Sequence, residues 1–428
     1  MAKQIIQVEE RPPLLEAIPL SVQHLFAMFS ASVLVPALLG INPAVVLFMN
    51  GVGTLLYILI TKGKAPAFLG SSFAFIAPAG IVMAAGGLGY PYALGGFVVS
   101  GAVLCAVAGI IRFCGTKWID VILPPAAMGS VVALIGLELS GTAASMGGLV
   151  LSDTYTQIDP KRVAVFLITL AVAVFGSVLF RGFLAVIPIL IAIVVGYVVS
   201  WGMGLVGFEA VAAAPVFALP NFQLARFDWN AVSIIVPATL VVVSEHIGHQ
   251  IVTGKIVGRD LIRDPGLHRT MFSDGFSTML SGLFGSVPTT TYGENIGVMA
   301  MTGVYSVWVI GGAAVLSVAV SFFGKVAALI QSIPNPVMGG VSFLLYGMIA
   351  SSGLRLLVDQ KVDFGRSRNL AMASVVLVTG LSGAFVRIGQ VKLTGMSLGA
   401  VVAMLLGLIF WVIDRFHIAN DYEEQAQE

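Results

Sequence analysis

Charge is scarce in this chain. Only 10% of its 428 residues are Asp, Glu, Lys or Arg, against about 25% in a soluble domain. No polar stretch exceeds about 25 residues, which excludes a separate soluble domain. Cysteine is nearly missing too. Cys105 and Cys114 fall in or just past one apolar run, the wrong place for a structural disulfide, and no His/Cys spacing suits a metal. Nor is there a nucleophile–base pair of the kind an enzyme needs, so neither catalysis, a metal nor a cofactor is expected. The net charge of +1 gives no hint of nucleic-acid binding. Residues 1–13 carry two prolines and lack the apolar core and cleavage site of a signal peptide, so the first apolar run reads as a permanent helix.

What is present is hydrocarbon. Hydrophobic residues make up 58% and the mean hydropathy is +0.99, the profile of a polytopic membrane protein whose partner is the lipid bilayer. The 49 glycines fit close helix packing and interrupted helices. Set against the ~20 residues a spanning helix needs, the apolar runs place spans near 19–39, 43–61, 66–84, 92–112, 121–139, 163–180 and 183–203. A second set falls near 232–252, 270–287, 289–303, 305–324, 328–350, 369–388 and 391–413. That makes fourteen, with the third and tenth short or broken. With the N-terminus in the cytoplasm, about 16 of the 22 Lys and Arg fall inside, so both termini are expected there.

The two halves echo each other in order. Asn50-Gly51-Val52-Gly53-Thr54 reads against Asp274-Gly275-Phe276-Ser277-Thr278. Ser71-Ser72-Phe73 reads against Thr290-Thr291-Tyr292, and Pro125-Ala126-Ala127-Met128-Gly129 against Asn335-Pro336-Val337-Met338-Gly339. Seven spans per half force the second copy to be upside down. Inverted repeats with breaks at matching positions point to a midplane site in a secondary transporter.

Two places have the wrong chemistry for lipid. Thr289-Thr290-Thr291-Tyr292-Gly293-Glu294-Asn295 lies between apolar runs: the threonines and Tyr292 favour extended backbone, and Gly293 permits a break before a short helix. Glu245 lies inside another run, with His249 four residues later on the same helix face. A charge at the bilayer centre costs roughly 2.5–3.5 kcal/mol on translocon scales, and irregular backbone there is tolerated only where protein or a cavity surrounds it. Glu245, His249 and Glu294 are therefore the candidates for proton coupling. Phe73 and Tyr292/Gly293 would each end an extended stretch and open a half-helix aimed at the cavity. His24 reads equally as site support or as a side chain bonding a neighbouring carbonyl. Tyr346 reads as a cavity wall or a packed tyrosine. His246 points about 100° away from Glu245 and is expected to bond structurally. Glu138, at the outer end of span five, is expected to snorkel.

Glu294-Asn295-x-Gly297-x-x-x-x-Thr302 resembles the signature of the nucleobase–ascorbate transporters, the nucleobase:cation symporter-2 family. The likeness runs end to end and is nearest to the family's bacterial uracil-transporting branch. It includes Arg11-Pro12-Pro13-Leu14-Leu15, Gln23-His24-Leu25-Phe26-Ala27-Met28, Leu69-Gly70-Ser71-Ser72-Phe73-Ala74-Phe75 and Thr291-Tyr292-Gly293-Glu294-Asn295-Ile296-Gly297-Val298. Gly303 departs from it, standing where many of these permeases have a basic residue. The resemblance implies an all-α fold of seven-plus-seven inverted spans, with two short strands in spans three and ten at the midplane. It implies core segments at 1–120 and 229–326, gate segments at 121–228 and 327–428 (the latter ending in a cytoplasmic tail), and dimers joined through the gates. Phe73, Glu245, Tyr292, Gly293 and Glu294 would bind the base, with Ser72, His24 and Tyr346 in support, and His249, Glu245 and Glu294 would couple protons. The expected function is proton-coupled uracil uptake across a bacterial inner membrane. The same machine for xanthine, urate or thymine, or a passive channel, is the alternative.

Overall fold

A computed structural model describes residues 5–84, 87–151, 157–388 and 391–416; the expected C-terminal tail lies outside the described residues. The chain runs α1 (Leu14–Leu39), α2 (Pro43–Ile60), β1 (Leu69–Ser71), a 3-10 turn (Phe73–Phe75), α3 (Ile76–Met83) and α4 (Tyr90–Cys114). It continues through α5 (Lys117–Ile122), α6 (Pro125–Met146), α7 (Pro160–Leu179), α8 (Pro188–Gly202), α9 (Glu209–Ala213) and α10 (Trp229–Ile235). Next come α11 (Ala238–Val257), α12 (Leu267–Leu283), β2 (Thr289–Thr291), α13 (Gly293–Thr302) and α14 (Val307–Ser321). The last elements are α15 (Gly324–Gln331), α16 (Asn335–Asp359), α17 (Ser367–Leu381), β3 (Phe385–Ile388), β4 (Val391–Thr394) and α18 (Gly395–Arg415). Among the described residues, eight helices are long and apolar enough to cross a membrane, counting 229–257 as one, and four apolar helices are shorter.

The broken spans take the form the sequence suggested. β1 and β2 pair antiparallel with Leu69 opposite Thr291, Gly70 opposite Thr290 and Ser71 opposite Thr289. Ser72 N donates to Pro288 O at 2.8 Å and Tyr292 N to Phe68 O at 3.0 Å, extending the ladder at both ends. Each strand is also pinned by a threonine. Leu69 N donates to Thr54 Oγ1 at 2.8 Å, and Thr289 N donates to Thr278 Oγ1 at 3.2 Å. The ladder, its two extensions and the two threonines together supply partners for most of this extended backbone, as a strand inside a bilayer would require.

Other boundaries differ from the hydropathy reading. The run 328–350 does not form one span: α15 is separate, and α16 starts at Asn335 because Pro334 and Pro336 break the preceding turn. The run 121–139 divides likewise, with α5 ending before Pro124 and Pro125. Residues 385–388 and 391–394, assigned above to two spans, pair instead as antiparallel strands with Phe385 opposite Thr394. Gly383 at φ +72° turns the chain out of α17, and alternating β-branched residues follow.

The helices pack in close pairs, α6 on α16, α4 on α12 and α2 on α14. A Cβ on Gly353 would lie 2.6 Å from Gly129 O, and one on Gly51 2.6 Å from Ala314 O, so glycine sets how near these axes come. The N-terminal segment is fastened across one end. Ile6 N donates to Gly303 O at 3.0 Å, Tyr305 N to Ile6 O at 2.8 Å and Val307 N to Val8 O at 2.9 Å. Arg259 forks onto Glu9, with Nη2 2.7 Å from Oε2, and holds that carboxyl below the usual carboxylate range.

A Cβ on Gly70 would collide with the Tyr292 ring, whereas one on Gly109 would meet nothing within 4 Å. Gly70→Ala should therefore lower thermal stability by about 1–3 kcal/mol through overpacking, while Gly109→Ala melts at or above wild type. Thermal unfolding in detergent checks this; equal melting of the two variants would remove the ring-on-glycine contact from the account.

Candidate functional site

The site forms where the two strands end. Ser72 precedes the 3-10 turn opened by Phe73, Tyr292 precedes α13, and neither helix start has a side-chain cap. The helix-start N–H groups of Phe73 and Gly293 therefore take no cap from the residue before them. α11 runs beside both. Its Glu245 is 8% exposed, and Glu245 Oε2 has no hydrogen-bond partner. Gly293 is exposed, while Glu294 and His249 are half-buried. Gly293, Gly297 and Ala300 form one open stripe along α13. Across from Phe73, the ring of Tyr346 stands edge-on at 5.9 Å and 85°, its hydroxyl buried and unpartnered.

His249 does not pair with Glu245. Its Nδ1 lies 3.0 Å from Thr291 Oγ1, which ties α11 to β2, and its Nε2 looks toward Gly293, 3.5 Å from where a Cβ would stand. A direct Glu245–His249 proton exchange, implied by their spacing, is replaced by two separate groups on one face.

The side chain of Tyr292 points away from this space. Its ring packs over Gly70 and its hydroxyl lies 3.5 Å from Ser32 Oγ, so only its backbone faces the strand end. Side chains alternate along an extended segment, and Thr291 takes the side that meets His249. Ser72 is buried with an unpartnered hydroxyl. His24 supports the site through a neighbour: Asn295 Nδ2 donates to His24 Nδ1 at 3.1 Å and to His24 O at 3.2 Å, fixing the first turn of α13 against α1.

His246 bonds structurally, as expected, but to a residue the hydropathy reading passed over. Its Nδ1 is 2.8 Å from Asp274 Oδ2, and both side chains are 0% exposed. The signal was available, since Asp274 interrupts an apolar run just as Glu245 does. Glu138 does not snorkel. It is half-buried and accepts a hydrogen bond from Met396 N at 2.6 Å, capping the first turn of α18.

Paired broken helices meeting at buried acids within a polytopic α fold define a membrane transporter. A family model described as the Permease family matches residues 15–389, and the chain belongs to that family, the xanthine/uracil-type group anticipated from the motif. It is 57% identical over 413 residues to the uracil permease of Escherichia coli (strain K12), covering 96% of this chain and 95% of that one. It is 47% identical over 411 residues to the uracil permease of Bacillus subtilis (strain 168), covering 94% of each. Among solved structures, the fold matches murine solute carrier 26 family member A9, an anion transporter in the inward-facing state, with a TM-score of 0.69 at 11% identity. That match covers 95% of this chain and 69% of the other. The transmembrane domain of the cyanobacterial bicarbonate transporter BicA gives 0.60 at 16% identity, covering 95% and 99%.

The geometry of Tyr292 makes its ring the important part. Tyr292→Phe, which keeps the ring and removes the hydroxyl, should stay within about 1 kcal/mol of wild-type stability. Tyr292→Ala, which leaves a void over Gly70, should lose about 3–5 kcal/mol. Equal losses in thermal unfolding would shift the role to the hydroxyl.

Proposed function

We propose that this protein imports uracil together with protons by alternating access across a bacterial cytoplasmic membrane. The observation that carries the reading is the unpartnered, buried carboxylate oxygen of Glu245 beside the uncapped starts at Phe73 and Gly293. Uracil presents ring N–H donors alternating with carbonyl acceptors. An ionised carboxylate only accepts, so Glu245 and Glu294 suit the N–H groups, and backbone N–H of Phe73 and Gly293 suits the carbonyls. Tyr346 and Phe73 would wall the ring. The relatives named uracil permeases, matched over nearly their whole length, support uracil as the base.

A seven-plus-seven inverted repeat supplies the framework for this reading. Thr54 and Thr278, placed opposite each other by the sequence echo, pin the first residues of β1 and β2 in the same way. The short helices α5 and α15 each precede a proline-marked long helix, α6 and α16. Contacts α2–α14 and α4–α12 exchange with each other under the repeat. We assign 1–120 and 229–326 to a core that carries the site, and 121–228 and 327–428 to a gate through which two copies would associate. Both termini would be cytoplasmic, as the distribution of Lys and Arg supports. One proton entering with a neutral base draws ~2.3 kcal/mol per 100 mV, enough for roughly 50-fold accumulation.

Glu245→Ala should abolish uracil binding in detergent while the protein still melts cooperatively, because a ring N–H loses its acceptor. Wild-type affinity in that variant would remove Glu245 from the site. His249, tied to Thr291 rather than to Glu245, should matter less to the bound base: His249→Ala is expected to impair gradient-driven uptake more than equilibrium binding.

Coupling is tested in sodium-free proteoliposomes. Uptake should rise as external pH falls toward about 5–6, collapse with a protonophore and ignore replacement of sodium by potassium. Uracil flux indifferent to pH gradient and membrane potential would make the protein a passive facilitator. Competition by xanthine, urate or thymine at the potency of uracil would overturn the assignment of the base.

A further inference from the structure

Helix α11 has two polar faces, and only one looks at the proposed uracil site. Glu245 and His249 are on that face. On the face packed toward α12 and α2, His246 and Gln250 lie one turn apart. Asp274 Oδ2 sits 2.8 Å from His246 Nδ1, with Thr290 Oγ1 donating to the same oxygen at 3.4 Å. Gln250 Nε2 donates to Tyr57 OH at 3.0 Å. Asp274, His246 and Tyr57 are 0% exposed and Gln250 is 2% exposed.

Three atoms in this cluster have no partner: Asp274 Oδ1, His246 Nε2 and Gln250 Oε1. With Asp274 ionised the carboxylate accepts only, and His246 Nδ1 is the donor. In the neutral imidazole, Nε2 is then a bare acceptor, one turn from a second bare acceptor, Gln250 Oε1. These two cannot pair with each other. A proton on Nε2 would make it a donor one helical turn from the acceptor Gln250 Oε1, and would take an ionised Asp274–His246 pair from net −1 to zero. Two bare acceptors one turn apart leave this cluster a place for one more proton.

Holding helices together does not require ionisable groups here. Asn50 occupies the position matching Asp274 in the sequence echo, and it links α2 to α1 with a neutral amide, Nδ2 donating to Ser32 Oγ at 3.0 Å. The second half uses an acid and an imidazole where the first half uses an amide and a hydroxyl.

We propose that Asp274 and His246, with Gln250 as the acceptor, form a second proton-holding site behind the uracil-binding face of α11, loaded as uracil binds. This rests on the proton-coupled reading and names where a coupled proton resides. The titratable groups around it are Glu245 and His249 on α11, Tyr57 on α2 and Cys105 on α4, with Glu294 on α13 beyond Glu245. Repulsion between Asp274 and Glu245 supplies the linkage. Neutralising the pair favours an ionised Glu245, the form that accepts a ring N–H from uracil, and uracil on Glu245 in turn favours the proton on His246.

His246→Asn keeps an N–H directed at Asp274 but cannot take up a proton. Proton uptake on adding uracil is read with a pH dye in weakly buffered detergent solution, beside equilibrium binding and melting. Wild type should take up close to one proton per uracil bound, and His246→Asn markedly less at matched occupancy. In Gln250→Leu, which removes the waiting acceptor, the midpoint of uracil binding against pH should move acid by about one unit or more. Wild-type proton counts in His246→Asn, or an unmoved midpoint in Gln250→Leu, would overturn the proposal even if both variants melt lower, since that is the pattern of a merely structural link. A wild-type protein that takes up no proton with uracil would sink the symport reading and this site together. Normal proton uptake in both variants would sink this site alone.

Discussion

Two three-residue strands, β1 and β2, one from each half of the chain and paired antiparallel, are the constraint on which the rest depends. Extended backbone inside a bilayer cannot turn to water, so every N–H and C=O of the strand pair needs a protein partner. The antiparallel register supplies most of them, with Ser72 N on Pro288 O and Tyr292 N on Phe68 O closing the ends. Thr54 and Thr278 reach in from α2 and α12 to take the first residue of each strand. Those two helices must therefore stay beside the strands, and glycines let their partners α14 and α4 press close. What the strand pair leaves over is the part the proposed function uses: two helix starts, at Phe73 and Gly293, without a side-chain cap.

Much of this was legible because it violates a strong rule. A carboxylate, a histidine or a run of threonines in an apolar segment stands out against hydrocarbon, which is how Glu245, His249, Glu294 and the breaks at Phe73 and Gly293 were found. Hydropathy was silent where the rule is not violated. The short helices α5 and α15 and the strand pair β3 and β4 are apolar enough to pass for parts of spans, and only Pro124, Pro334 and Gly383 mark their ends. The direction of a side chain was also hidden. Tyr292 turns its ring onto Gly70, and His249 reaches Thr291 rather than Glu245, because strand alternation and helix register decide those contacts jointly.

Asp274 fell between these cases. It breaks an apolar run as plainly as Glu245 does, yet in sequence it served only as a marker aligned with Asn50. Its partner, His246, is contiguous with Glu245 on α11, and no spacing rule joins residues 246 and 274. Only the packing of α11 on α12 brings them to 2.8 Å.

The proposed repeat gives these details a common logic. Where the halves agree, as at Thr54 and Thr278, the residues hold backbone, which both halves must do equally well. Where they disagree, one half carries chemistry that the other lacks. Leu69-Gly70-Ser71 faces Thr289-Thr290-Thr291, and the threonine strand is the one that ties to His249 and leads into Glu294. Asn50 faces Asp274 in the same sense. Glu245 on α11, Asp274 on α12 and Glu294 on α13, the acids of the two proposed sites, all belong to the second half, while the first half contributes Phe73, the glycine under Tyr292 and the amide at Asn50. A duplicated scaffold needs symmetry to close its backbone. Its site has no such requirement, and concentrating charge on one half lets the three acids sense one another across a few turns of helix. The neutral half can meanwhile pack tightly and hold the strand pair still.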